Sequence, residues 1–192
     1  MILLIALLAG GLAGLAYAGW QKRSYQAPRI SFTWLAFVAF VPQALAFYLP
    51  ATRARILDDW AAASLIASQV LLLLFAWANR KLAGMWLLIA GLALNLAVIA
   101  ANGGLMPISP ETATRLVPVA VVQAIQPGQR LGFSKDILLL TEDTRLAWLS
   151  DRFLLPAGFF YQVAFSLGDI FIACGIFWLL MRQGIPLRLF ER

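Results

Sequence analysis

Histidine is absent from the 192 residues, and cysteine occurs once, as Cys174. Without histidine the chain lacks the commonest general base, the commonest haem and zinc ligand and the usual switch near neutral pH. This argues against a Ser-His-Asp hydrolase, a histidine-ligated haem or chlorophyll protein and a metalloprotease. No metal and no cofactor is expected. A lone cysteine makes neither an intrachain disulfide nor a Cys-x-x-Cys redox pair. Cys174 lies in an apolar run, where a thiol behaves as a small hydrophobe. Charge is scarce too, at 12% of residues against about 25% in soluble domains. No internal repeat is visible, which disfavours an inverted-repeat transporter.

What fills the chain is apolar: 62% of residues are hydrophobic and the mean hydropathy is +0.83. That excludes a soluble globular domain, a disordered chain and a nucleic-acid-binding domain. The formal charge of +6 sits on residues that flank apolar runs, so it points to anchoring at the bilayer surface and not to nucleic acid. A membrane-spanning helix needs roughly 20 apolar residues. The expected fold is therefore all-α: a polytopic bundle of five transmembrane helices in a single membrane domain. The spans are about 1–20, 31–49, 60–79, 82–101 and 157–181, with one outer segment at 102–156.

Local features refine each span. Ala16-Tyr17-Ala18 is similar to a signal-peptidase site, but Lys22 and Arg23 follow the apolar core instead of preceding it, so span 1 reads as an uncleaved helix. Its Gly10, Gly11 and Gly14 permit close helix approach. Pro42 predicts a kink in span 2. The connector Asn79-Arg80-Lys81 is short enough to force spans 3 and 4 into an antiparallel hairpin. With the N-terminus outside, the inner segments hold eight basic residues against Glu191, and the outer segments hold seven basic and seven acidic residues. The inner charges lie in short segments against helix ends, where they weigh most, which gives N-out and C-in.

The outer segment is expected to be ordered and built of short interfacial helices. Ser109-Pro110-Glu111 combines a cap, a proline at the first position and an acid in the first turn. Leu116–Ile125 is too short to span and contains Pro118, so it is assigned to the interface. Gln126-Pro127-Gly128 is a turn signal. Ile137–Leu140 is an apolar patch, and Thr141–Leu149 reads as a second short capped helix. Trp148, Phe153 and Phe159 are placed for headgroup depth.

Asp169 is the leading candidate site residue, because an acid at the centre of span 5 costs about 2.5–3.5 kcal/mol on insertion scales. It must be protonated, hydrogen-bonded within the bundle or turned toward water. Gln162, Ser166 and Asp169 are spaced to share one helix face, and Ser68, Gln69 and Asn95 are the expected partners by depth. With Gln43, these residues form a candidate polar track from the outer face to the midplane. The alternative reading of the track is ordinary hydrogen bonding between helices. Ser166-Leu167-Gly168-Asp169 is partly similar to the Gly-x-Gly-Asp motif of intramembrane aspartyl proteases. Those need a second membrane aspartate, and no other span holds one, although Asp151 lies near the mouth of span 5. Asp169, Ser166 and Asp151 are thus the candidate catalytic residues. Asn102-Gly103-Gly104-Leu105-Met106-Pro107 closes span 4. Gly103 suits a left-handed helix cap, while Asn102, Gly103 and Gly104 are candidates for an anionic headgroup through exposed amides.

The Asn102–Pro107 motif, the stretch Thr144-Arg145-Leu146-Ala147-Trp148-Leu149-Ser150-Asp151 and the stretch Phe165-Ser166-Leu167-Gly168-Asp169-Ile170 together resemble an uncharacterised family of small bacterial integral membrane proteins, a domain of unknown function. The resemblance covers most of the chain in the same order. Glycine is more usual in that family where Ser150 stands, and histidine is common before Ile137–Leu140; this chain departs at both. The resemblance implies topology, a bacterial cytoplasmic (inner) membrane and attention to Asp151 and Asp169. It implies no activity.

The favoured function is a non-catalytic membrane subunit or assembly factor of a larger complex, because no catalytic constellation is visible. Its partners are the lipid bilayer and other membrane subunits. The alternatives are an enzyme on a lipid or lipid-linked substrate, and a small transporter or proton relay that uses Asp169.

Overall fold

The computed structural model describes residues 2–156, 158–159 and 162–182. Met1, Ala157 and the basic tail beyond Arg182, which belong to the expected spans 1 and 5 and the inner charge count, lie outside them. The chain is mostly helical. Five apolar helical stretches dominate: α1 (Ile2–Trp20), α2 (Thr33–Gln43), α4 (Asp58–Ala78), α5 (Met85–Ala101) and α8 (Leu167–Met181). The one-turn helix α3 (Pro50–Arg53) links α2 to α4. Two of the helices, α1 and α4, are long and apolar enough to cross a membrane by length and composition; α2 with its extension, α5 and α8 are apolar but shorter.

The helices lie in a row in the order α1-α8-α5-α4-α2. Glycine sets the spacing where backbones touch. Gly84 faces Gly175, and Gly91 faces Gly168. That crossed pairing makes α5 and α8 antiparallel. A Cβ on Gly175 would lie 2.8 Å from the Gly84 carbonyl oxygen, closer than any side chain tolerates. Gly10 and Gly14 rest on the backbone of Phe177 and Leu180, so α1 runs parallel to α8. Gly11, the third glycine of span 1, faces open space.

Pro42 has no N–H to give to the helix. From Ala44 to Tyr48 the chain takes the wider π register, closed by Leu49 N–H donating to the Ala44 carbonyl at 2.9 Å. The expected kink takes this form. The hairpin between α4 and α5 forms, with Asn79 at its centre: its amide donates to Phe75 O and Ser31 O, and its Oδ1 accepts from Ser31 N at 2.8 Å. That side chain ties the start of the second helical stretch to the end of α4.

The outer segment carries strands as well as helices, which departs from an all-helical expectation. Strand β1 (Met106–Ile108) pairs in parallel with β2 (Asp136–Leu138). The connection between them holds α6 (Pro110–Ala113) and α7 (Val119–Gln123). Residues 128–131 fold back on β2, with Gly128 N–H donating to Leu138 O at 2.7 Å. On the far edge of β1, Asp151 N–H donates to Pro107 O at 3.1 Å. The result is a small sheet that extends the end of α5. Ser109 caps α6 by accepting from Thr112 N, as expected. Leu116–Ile125 does not form one interfacial helix: Val122 packs with Ile108, Ala113, Leu131 and Leu138 in a core of the cap's own, with Leu116 and Ile125 against it. Thr141–Leu149 is a turn followed by one short 3-10 turn at Ala147–Leu149 instead of a capped helix, because Leu146 takes a left-handed φ of 55° that no helix continues through.

The largest correction concerns span 5. The helix begins at Leu167, not at 157. Before it, β3 (Phe153–Leu154) pairs antiparallel with β4 (Ala164–Phe165), and the Phe153 and Phe165 rings stack. The reason is local. Ser166 accepts from Asp169 N at 3.0 Å and Asp169 Oδ2 accepts from Ser166 N at 3.2 Å. This reciprocal capping box fixes the helix start. Asp169 is therefore in the first turn of α8 and not at the middle of a span, and Gln162 shares no helix face with it.

Candidate functional site at the junction of cap and helices

Three sequence motifs meet where the cap sits on α5 and α8. The first is the turn after α5. Asn102 donates to Val98 O (2.7 Å) and Arg145 O (2.8 Å) and accepts from Arg145 N (2.9 Å). Gly103 and Gly104 have φ of 77° and 87°, and Gly104 N–H closes the helix by donating to Ile99 O at 2.8 Å, a Schellman-type bond. Gly104 also packs on Ala62 of α4. Of the residues considered for a headgroup, Asn102 spends its side chain fastening α5 to the Arg145 loop, and Gly104 spends its N–H on Ile99 O and packs on α4.

The second motif is the start of α8. Asn95 on α5 donates to Asp169 Oδ1 at 2.9 Å and accepts from Ser166 Oγ at 2.8 Å. Ser166 is fully buried and Asn95 nearly so. Gly168 lies against the Asn95 side chain, so no Cβ fits there. Each polar member of Ser166-Leu167-Gly168-Asp169 therefore has a structural task, and Asn95 is the partner of Asp169.

The third motif supplies Asp151, only 1% exposed. Its Oδ2 lies 2.5 Å from Lys135 Nζ, which also pairs with Asp136 Oδ1 at 3.3 Å. The Lys135 side chain is 37% exposed. Asp151 Oδ1 is buried and has no hydrogen-bond partner among the described residues, and Asp136 Oδ1 has only the ion pair. Burial raises the Asp151 carboxyl, and Asp136 and Asp169 add to this; Lys135 opposes them, and the outcome is a pKa pushed up to about 7. Burial works against the ammonium of Lys135, but Asp136, Asp151 and Asp169 outweigh it and hold Lys135 well above the usual lysine range. Both directions follow from the same arrangement, the carboxyls of Asp151 and Asp136 on one ammonium, with Asp169 beyond ion-pair distance.

The other candidate residues go elsewhere. Ser68 donates to Ala39 O and accepts from Gln43 Nε2 at 2.6 Å, joining α4 to α2. Gln69 is buried, with Oε1 unpartnered among the described residues. Gln162 donates to Pro156 O at 3.3 Å in the β3–β4 connection. The expected polar track is thus four separate places: Ser68 with Gln43, Gln69, Asn95 with Ser166 and Asp169, and Gln162 on Pro156 O. Among the described residues no set of three or more histidine, cysteine, aspartate or glutamate side chains is placed to hold a metal.

Reading the sequence alone does not single out Lys135, Asp136 or Arg130. Arg130 is buried, pairs with Asp58 at 3.0 Å, donates to Ser134 O and lies over the Phe47 ring at 5.5 Å, so it fixes the cap to the start of α4. The available signal is Lys135-Asp136 directly before the apolar patch Ile137–Leu140. Charges that lead into a buried strand need partners.

A family model matches residues 28–181. The chain belongs to DUF5317, a family of unknown function. The matched stretch contains Asn95, Asn102, Lys135, Asp136, Asp151, Ser166 and Asp169, and it leaves α1 outside. No curated protein and no solved structure matches the chain.

Proposed function

We propose that this DUF5317 member is a five-span protein of the bacterial cytoplasmic membrane, N-terminus outside and C-terminus inside, and that it acts as a non-catalytic subunit or assembly factor of a larger membrane complex. The observation that carries the non-catalytic reading is how the helices use their polar side chains. Ser68, Gln43, Asn95 and Asn79 all bond to neighbouring protein groups, so the row has the character of a scaffold and not of a conduction path. The membrane reading is supported by large apolar side chains on the helix surfaces, among them Leu12 (67% exposed) and Phe37 (75%), which are poorly tolerated in water over so large an area. The antiparallel α5–α8 pair and the parallel α1–α8 pair fit the alternation that five spans require. In this orientation the cap lies outside.

Two experiments test the proposal. In a C174S background, an impermeant thiol reagent should label a cysteine at exposed Gln123 in intact cells and one at exposed Lys81 only after the cells are permeabilised. Labelling of Q123C from the cytoplasmic side alone overturns the topology. Mild-detergent extraction followed by mass spectrometry should recover a stoichiometric membrane partner. A chain that migrates as a lone monomer in every extract, with no crosslinked neighbour in native membranes, overturns the subunit role.

A further inference from the structure

We propose that Asp151, buried at the edge of β1 with Lys135 as its ion partner, takes up a proton, so that the packing of the segment leading from the small sheet to α8 responds to pH. The geometry carries the argument. Asp151 is bonded through its backbone to β1 and through its Oδ2 to Lys135 at the head of β2, and the segment that follows it pairs as β3 with β4 immediately before α8. The charged groups that face it are Lys135 and Asp136 from β2 and Asp169 from α8; β1, α5 and the 3-10 turn bring no titratable side chain. Two carboxylates, Asp151 and Asp136, on the one ammonium of Lys135 leave an excess of negative charge in a region that excludes water at Asp151. One oxygen of Asp151 has no hydrogen-bond partner among the described residues. A proton on that oxygen removes the excess charge and leaves Lys135 paired with Asp136.

The sign of the pH dependence follows. An aspartate in the unfolded chain loses its proton near 4, whereas Asp151 in the fold does so at about 7. Between those values the folded protein holds one more proton than the unfolded chain. The stabilisation is complete below the unfolded value and is lost as pH rises through about 7. The inference concerns only the cap and its junction, so it stands or falls separately from the subunit role.

The test is thermal unfolding of the purified chain in nanodiscs, followed by tryptophan fluorescence from pH 5 to pH 9, with infrared spectra at the same values. The wild type should lose melting temperature as pH rises through about 7 and should lose a protonated-carboxyl stretching band over the same range. Asp151→Asn should abolish both changes, because an amide cannot release a proton. Asp136→Asn should keep the band and move its midpoint to lower pH, because one like charge is gone. A wild-type band that is absent at pH 5, or one that persists unchanged in D151N, overturns the proposal. If D151N does not fold, the D136N midpoint decides: an unmoved midpoint rejects the proposal.

Discussion

In the helix row the buried polar side chains Ser68, Gln69, Asn79 and Asn95 are neutral amides and hydroxyls; the cap buries charges, Arg130 and Asp151, beside the hydroxyl of Ser150. Ser68, Asn79 and Asn95 bridge helices by hydrogen bonds, and backbones touch at Gly84, Gly91, Gly168 and Gly175. The cap instead holds Asp151 with Lys135 and Arg130 with Asp58. The difference follows from what each region can offer a polar group. A helix has already satisfied its backbone, so a single neutral partner completes an amide or hydroxyl. A small cap of two-residue and three-residue strands has little apolar core, and paired charges from distant segments supply the contacts that position it. The two regions should therefore respond differently to substitution.

The largest effect is expected in the row, from Gly84→Ala. The residue needs φ of 82° and its Cβ would strike the backbone of α8, which cannot move aside as a flexible side chain can. Loss of about 3 kcal/mol or more is expected, read from unfolding in detergent micelles. A mild effect would mean that the α5–α8 seam is not set by glycine contact. In the cap, Lys135→Met removes the cation that Asp151 and Asp136 share. Its cost should be about 3 kcal/mol, at the low end for breaking a buried pair because Lys135 is partly exposed, and proteolysis of the cap should accelerate while the helices stay protected. Uniform destabilisation would erase the distinction between the regions.

At the junction, Asn95→Leu strands Ser166 Oγ and one oxygen of Asp169 and should cost about 1–2 kcal/mol by the same unfolding assay. Ser68→Ala, within the row, loses two neutral hydrogen bonds, to Ala39 O and from Gln43 Nε2, and should cost about 1 kcal/mol. The smallest effect is expected from Gly11→Ala, where nothing lies within 4 Å; replacing a helical glycine there should be neutral or stabilise by up to about 1 kcal/mol. A penalty at Gly11 equal to that at Gly10 would show that a further chain packs on that face of α1.

Part of the fold is legible in the residues alone. The cap at Ser109, the left-handed Gly103 and the perturbation at Pro42 follow from side-chain chemistry within a few residues. The start of α8 is harder to place, for a definable reason. The residues after Pro156 are nearly all apolar, and hydropathy does not distinguish a strand from a helix over so short a run. The Ser166-x-x-Asp169 spacing is the competing signal, and the reciprocal hydrogen bonds decide in its favour. Asp169 then moves from mid-span to a helix mouth, which dissolves the polar track built on it.

The sequence by itself determined the apolar helical stretches and several of their caps and breakers, because hydrophobic patterning and local hydrogen bonding act over one or two turns. Tertiary structure decided the order of the helices in the row, the pairing of Asn95 with Asp169, and the pairing of Asp151 with Lys135. Those pairings join residues 16 to 74 positions apart. They depend on how closely glycine lets two backbones approach and on where the small sheet ends, and neither is written within any single stretch of the chain.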